Sequence, residues 1–333
     1  MVVSDQRDSF WIVAGGLNLD VLATPTGSFR PRDSNPGTII ERPGGVGFNI
    51  ARNLALLDQK ICFLTARGDD HAGQMLVDIA QEKTIDLSHA LVRECYATSH
   101  YLAIHDEEGD MVAAINDMAV IDTLTPKDVE TWFALGKAEV PSENDKTDKQ
   151  SGCLGAIVEP NLPVDVLVEL ASQWDVPLFA DAVSQAKIDR LIPILPYLTG
   201  LKLNRIEARQ LTGLPVRSIE EAVQAANVLI ERGVRCVCLS LDVDGALFAD
   251  AGHCFAAHPV KLNNDANTTG AGDAMAAVFA WATVRKFTLE QTARLGIAAS
   301  SIAVESAEAV NPALEIQLLM ERSETIESFR VAR

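Results

Sequence analysis

The stretch Asn267-Thr268-Thr269-Gly270-Ala271-Gly272-Asp273 continues into Ala274-Met275-Ala276-Ala277-Val278-Phe279-Ala280-Trp281, and reads as a loop that turns into an apolar helix. Glycine lets the backbone bend sharply and come close to a ligand. A helix start leaves several N–H groups unpaired and carries a partial positive charge, which together suit an anion. An acid in the first turn either serves the helix dipole or does chemistry. In the chemical reading, Asp273 takes a proton from an attacking hydroxyl while the N–H groups of Gly270, Ala271 and Gly272 hold a transferring phosphoryl group. In the structural reading, Gly-Ala-Gly is a close-packed turn. The stretch alone leaves both open.

The whole chain narrows the function classes. Its 333 residues are enough for a sizeable core, and a hydrophobic share of 48% with 22% charged residues is that of an ordinary globular protein. A net charge of −18 argues against nucleic acid and against anionic membrane surfaces, both of which need basic patches. No run approaches the length of a membrane span. The apolar run Phe10 to Ala14 is too short for a signal peptide. The six cysteines lack metal-type spacing, and Cys236 and Cys238 share one face of an apolar strand, as core residues do. Free thiols without an export signal point to the cytoplasm.

Taken in order, Phe10 to Ala14 reads as a buried strand closed by Gly15-Gly16. Asn18 and Asp20 follow at its carboxyl end, where open α/β sheets bind ligands; an Asx-type turn there is the alternative. Residues 21 to 43 are short and alternating, as in extended strands. Pro43-Gly44-Gly45-Val46-Gly47-Phe48-Asn49 then opens a second glycine-rich helix. Lys60 to Ala66 reads as a strand and His71 to Glu82 as a helix. Tyr96 to His105 and Met111 to Ile115 alternate about a turn, as a hairpin does. With 21 to 43 this hairpin is expected to build a small second sheet, a lid over about 18–43 and 96–118. A helix is expected at about 126–135, and residues 136–153 read as a surface loop. Strands are expected at 154–158, 177–180, 198–203, 235–240 and 245–249. Helices are expected at 163–173, 218–232 and from 271, 288 and 312. This alternation predicts one α/β domain over 1–333, with a mostly parallel sheet and helices on both faces.

Two further groups bear on chemistry. Asn204-x-x-Glu207 puts an amide and a carboxylate together at a helix start, where they suit Mg²⁺ or its water shell or serve as a capping box. Asn18, Asp20, Gly44, Gly45 and Asn49 form a polar set suited to vicinal hydroxyls. The six histidines are scattered, and no nucleophile elbow or Walker-type loop is present.

Gly15-x-x-Asn18-x-Asp20, Pro43-Gly44-Gly45-x-x-x-Asn49, Asn204-x-x-Glu207 and Thr268-Thr269-Gly270-Ala271-Gly272-Asp273, in that order and over nearly the whole length, resemble the ribokinase-like (PfkB) family of carbohydrate and nucleoside kinases. The resemblance implies ATP and Mg²⁺ as cofactors and transfer of the γ-phosphoryl to a primary hydroxyl of a small-molecule nucleoside or sugar. It implies Asp273 as base, Gly270, Ala271 and Gly272 as anion hole, and Asn204 and Glu207 as organisers of the metal. Asp20, Gly44, Gly45 and Asn49 would hold the sugar. Ser240, Asp242, Gly245, Thr269 and Asn311 would lie near the nucleotide, with Asn204 and Gly272. The lid would also mediate a homodimer.

Within the family the chain is most similar to pseudouridine kinases, on Asp33-Ser34-Asn35-Pro36-Gly37, Thr98-Ser99, Met111 to Met118 and Asp181-x-Val183-Ser184. The expected reaction is phosphorylation of the 5′-hydroxyl of pseudouridine, with another nucleoside or a sugar (ribose, fructose, adenosine) as the alternative substrate and a non-catalytic ligand-binding homologue as a third reading. Pseudouridine exposes an N–H that uridine lacks, and a buried acceptor would read it; Asn35, Asn116 and Asp117 are candidates, and Thr98 and Asn18 complete the expected acceptor site. Many family members have Asp where this chain has Asn267. An amide there weakens the expectation of K⁺ activation.

Overall fold

The protein is described by a computed structural model covering residues 9–137, 152–258 and 269–333. Asn267, Thr268 and most of the 136–153 loop lie outside the described residues.

The main sheet has ten strands. Seven run parallel, in the order Ile85–Asp86, Lys60–Leu64, Ser9–Ala14, Gly152–Val158, Leu178–Asp181, Gly200–Asn204, Cys236–Ser240. Three antiparallel strands, Ala246–Asp250, Cys254–Ala257 and Ser328–Arg330, complete one edge. Trp11, Ile12 and Val13 of the central strand are essentially inaccessible, as expected for a strand covered on both faces. One face is covered by helices Val46–Leu56, His71–Glu82, Ala271–Val284 and Leu289–Ala303. The other is covered by Val164–Gln173, Arg205–Thr212 and Ile219–Glu231. Helix Ala271–Val284 is apolar all round and largely buried, the pattern of a central helix. Phe279 seats it on the sheet, packing edge-on to Phe179 and to Phe248 with ring centres 5.9 Å apart in each case. Such aromatic pairs add about 0.5–1.5 kcal/mol each beyond burial.

The expected second sheet is present. Its four strands are ordered Gly37–Gly44, Asn18–Pro25, Ser99–His105, Met111–Asp117. Asn18–Pro25 pairs parallel to Ser99–His105 and antiparallel to Gly37–Gly44, so this sheet grows directly from the turn that follows the central strand.

Several elements differ from expectation. The helix expected at about 126–135 is a short helix at Ala119–Asp122 followed by a 3₁₀ stretch at Glu130–Gly136. Asp128 accepts from both the N–H and the hydroxyl of Thr125, a local turn that competes with helix formation. The last helix begins at Ile316 rather than 312, because the Asn311 side chain accepts from Ala313 N and fixes a turn first. The strand expected at 198–203 runs Gly200–Asn204, preceded by a 3₁₀ segment at Ile188–Tyr197. That segment holds Pro193 and Pro196, which cannot donate to an α-helix. Among the described residues no helix is long and apolar enough to cross a membrane.

Candidate active site

Four segments deliver charge to one place, the carboxyl ends of the parallel strands. Asp181 ends its strand, Lys202 lies in the next, Glu207 is in the first turn of the helix that follows, and Asp273 is in the first turn of helix Ala271–Val284. Lys202 Nζ pairs with Asp181 Oδ2 at 3.0 Å. It also lies beside Gly272, where a Cβ would come within 2.8 Å of it. Burial works against the ammonium charge, but Asp181, Glu207 and Asp273 outweigh it and keep Lys202 protonated. Asp273 is half-buried at the mouth of its helix. Burial, reinforced by Asp181 and opposed by Lys202 and Asn49, raises its carboxyl to about 7. A carboxylate poised there can accept a proton near neutral pH. The Asn49 amide donates to it, 2.9 Å from Oδ2.

Gly270 opens the helix with φ of +81°. Its α-carbon faces the carbonyl of Ala309, which leaves no room for a Cβ. Only glycine fits both constraints, so the loop can bring its N–H groups to the helix mouth. Behind it, the Ser300 hydroxyl donates to the Ala271 carbonyl at 3.1 Å. Lys202 and the helix N-terminus thus bring the cationic groups of the site to one place, with Asp181, Glu207 and Asp273 around them.

The small sheet faces this spot. Across it, Gly44, Asn18 and Ser99 lie in register, and the next row on the same face is Arg42, Asp20, Tyr101 and Asn116. The Asp20 carboxylate lies directly over Gly44, in the space a side chain would need, and burial raises its carboxyl to about 6. Asn18 Oδ1, Asp20 Oδ1, Asn49 Oδ1 and Ser99 Oγ are all buried without a hydrogen-bond partner among the described residues. Buried polar atoms are normally paired. Orphaned oxygens converging on one place are the mark of a polar ligand's seat.

A third group borders it. Glu159 follows strand Gly152–Val158 and is fully buried; it accepts from Gly16 N at 2.5 Å and from Asn161 N at 2.8 Å. Asn161 Oδ1 accepts from Lys187 Nζ at 2.7 Å, and Lys187 also lies 3.6 Å from the sulfur of Met118. Met118 in turn packs against Gly16. Burial lowers the Lys187 pKa from its usual range.

The family model for pfkB carbohydrate kinases matches residues 10–316. The chain belongs to this family. It is 31% identical to the pseudouridine kinase of Escherichia coli over 313 residues, covering 93% of this chain and 95% of that one. A carbohydrate kinase from Agrobacterium tumefaciens matches in structure with a TM-score of 0.79 at 26% identity, covering 97% of this chain and all of the other. The Arabidopsis thaliana ribokinase solved with ribose and ATP matches with a TM-score of 0.78 at 20% identity, over 95% and 98% of the two chains. The fold is therefore ribokinase-like, and the chain is a sugar or nucleoside kinase whose acceptor is an alcohol.

The other site residues expected from the sequence are placed by the fold in several different ways. Asn204 and Glu207 form a complete capping box: Asn204 Oδ1 accepts from Glu207 N at 2.9 Å, and Glu207 Oε2 accepts from Asn204 N at 2.7 Å. Ser240 is in register with Asn204 on the neighbouring strand. Asp242 (φ +53°) and Gly245 (φ +90°) shape the following turn, which Arg205 anchors through its ion pairs with Asp242 and Asp244. The Asn311 amide donates to the Ile302 carbonyl at 2.6 Å, so both ends of that side chain hold the turn behind Gly270. Thr269 directly precedes Gly270 in the described chain. Gly45 caps the helix that carries Asn49. Asn116 shares a cross-strand row and a face with Asp20. Asn35 does not face that row: its amide closes its own loop on Arg30 and Asp33. Thr98 is also engaged elsewhere, its hydroxyl donating to Asp70 at 2.6 Å and accepting from Gly68 N. The hydroxyl in register with Asn18 belongs to its neighbour Ser99.

Sequence reasoning missed Lys202, Glu159, Asn161 and Lys187 in this kinase. A signal existed for two of them. Lys202 interrupts the apolar run Leu201 to Leu203, and Glu159 follows the apolar run 154–158 directly. Charges so placed are almost never buried unless paired.

Proposed function

We propose that this kinase transfers the γ-phosphoryl of ATP to the 5′-hydroxyl of pseudouridine, giving pseudouridine 5′-phosphate. The observation that carries the reading is the row of orphaned buried oxygens, Asn18 Oδ1, Asp20 Oδ1 and Ser99 Oγ, ending at Asn49 and Asp273. It suits a furanose lying with its vicinal hydroxyls on Asp20 and its primary hydroxyl at Asp273. The 31% identity to a pseudouridine kinase supports the choice of nucleoside.

Asp273 takes the hydroxyl proton as the substrate oxygen bonds to phosphorus, and the bond from phosphorus to the β,γ-bridging oxygen breaks, releasing ADP. Phosphoryl transfer needs positioning and charge neutralisation more than covalent help. Lys202 and the N–H groups of Gly270, Ala271 and Gly272 supply both. Mg²⁺ brought with the nucleotide would neutralise phosphate charge. Among the described residues no cluster of three or more acidic, His or Cys side chains could hold a metal unaided. Asn204 and Glu207 are occupied with one another, so they suit Mg²⁺ through water, as that ion prefers.

The nucleobase would extend toward Met118, Asn161 and Lys187, where an ammonium and an amide suit the uracil carbonyls. Asn116, exposed on the row that holds Asp20, would accept from the N–H that pseudouridine adds. Away from the site, the small sheet exposes an apolar face: Ile39 is 72% and Ile115 67% accessible, in rows shared with Val21, Ala23, Leu102 and Ile104. A patch of this kind marks an interface, and we assign it to a homodimer through the lid.

The test is an ATP- and Mg²⁺-dependent panel with pseudouridine, uridine, adenosine and ribose. Pseudouridine is expected to have the highest kcat/KM, with uridine at least about tenfold poorer because of the unread acceptor. Equal turnover of pseudouridine and uridine, or of neither, overturns the substrate.

A further inference from the structure

Arg52 lies on helix Val46–Leu56, one turn beyond Asn49. Its side chain is only 12% accessible, yet among the described residues its one ion pair is to Glu308 at 3.9 Å. That is well beyond the roughly 2.7–2.9 Å of a charge-assisted hydrogen bond. Among the described residues none of the five N–H donors of the guanidinium makes a hydrogen bond, and burial lowers its pKa. Buried guanidinium groups are normally paired with a carboxylate in fork geometry, so this cation is under-satisfied. It opens on a cavity of about 130 Å³. The walls are apolar, from Ala55, Leu56, Val310 and Pro312, and a second cation, Lys83, joins the lining. In a chain of net charge −18, two cations with one distant carboxylate are an exception.

We propose that this cavity binds a compact carboxylate, one carboxyl group on an apolar body of a few carbons, with Arg52 as the fork and Lys83 as the second cation. Guanidinium and carboxylate match as a bidentate pair, and the apolar walls take the carbon body. The position has consequences for the kinase site. The loop that carries Glu308 and Val310 also places the Ala309 carbonyl against Gly270 and accepts from Arg42 of the small sheet through Ala307 O at 3.0 Å. A carboxylate on Arg52 would compete with Glu308 and so act on the loop that backs the anion hole. The inference does not depend on which acceptor the kinase phosphorylates.

Butyrate, acetate and inorganic phosphate titrated calorimetrically into the full chain at constant ionic strength test it. Butyrate is expected to bind one to one, and to bind more tightly than acetate by about fourfold per buried methylene. Lys83→Ala is expected to weaken butyrate about fivefold. Glu308→Gln, which removes the competing carboxylate, is expected to strengthen it about threefold, and Arg52→Met to abolish it. Lys83 and Glu308 are exposed, so those two variants carry the test alone if Arg52→Met does not fold. The proposal is overturned by the absence of saturable butyrate binding, by binding that Lys83→Ala and Glu308→Gln leave unchanged, or by phosphate binding more tightly than butyrate.

Discussion

The Asn49 amide donates to the Asp273 carboxylate at 2.9 Å, across 224 residues of sequence. In the proposed reaction one residue belongs to the acceptor side and the other is the base, so the bond would link the sugar's seat to the point of transfer. It also stabilises the charged form of Asp273. Asn49→Ala is expected to lower kcat about tenfold and to move the acidic limb of the pH–rate profile upward. An unchanged limb would show that the amide has no hold on the base.

Asp273→Asn is expected to reduce kcat by about 10²–10⁴, the usual range for a positioned base, with a smaller change in KM. The same variant has a stability signature. The native carboxyl sits at about 7 against an ordinary aspartate value of 3.8, so between those values the native state binds more protons than the unfolded chain. Stability therefore falls as pH rises through that window. Asparagine carries no such penalty, so the variant should melt at least about 3 °C above wild type at pH 8 and near it at pH 4. A variant no more stable at pH 8 would mean that Asp273 is not held protonated by its surroundings.

In the wild type, activity should follow the ionisation of Asp273. kcat/KM is expected to rise with pH on a limb near 7, with Asp20, raised to about 6, steepening its lower end. A profile flat from pH 5 to 8 is inconsistent with either carboxylate acting in its charged form.

Lys202→Met removes the cation that Asp181, Glu207 and Asp273 share. Breaking a buried pair of this kind costs about 3–5 kcal/mol, read as a lower denaturant midpoint. Loss of the charge should also push Asp273 higher, so the pH limb moves above its wild-type position. Asp181→Asn leaves the ammonium its other neighbours and is expected to cost less. Equal losses for the two variants would contradict a shared cation.

Ile39→Glu together with Ile115→Glu places charge in the apolar face of the small sheet. Sedimentation is expected to show a dimer for wild type and a monomer for the double variant. A wild-type monomer would leave that face without the role assigned to it.

Much of the site was legible because it lies in short motifs whose backbone demands are strict. Asp20, Gly44, Asn49, Gly270 and Asp273 are candidates of that kind, and the structure sets Asp20 against Gly44 and Asn49 against Asp273. What could not be read is whatever depends on pairing between distant strands. Thr98 and Ser99 are neighbours with the same chemistry, and only the register of Ser99 against Asn18 decides which faces the pocket; a shift of one residue reverses the faces. Lys202 meets Asp181 because their strands are adjacent, a fact of sheet order. The segment at 126–135 misled for a different reason: its apolar spacing suits a helix, but the bonds from Thr125 to Asp128 win locally.

The central strand Ser9–Ala14 is held between Lys60–Leu64 and Gly152–Val158. During synthesis it must wait for its second neighbour until roughly 150 residues have been added, about 7–30 s at 5–20 residues per second. Over that interval Trp11 and Val13 have no complete sheet to enter, and the first part of the chain is the part most exposed to a chaperone.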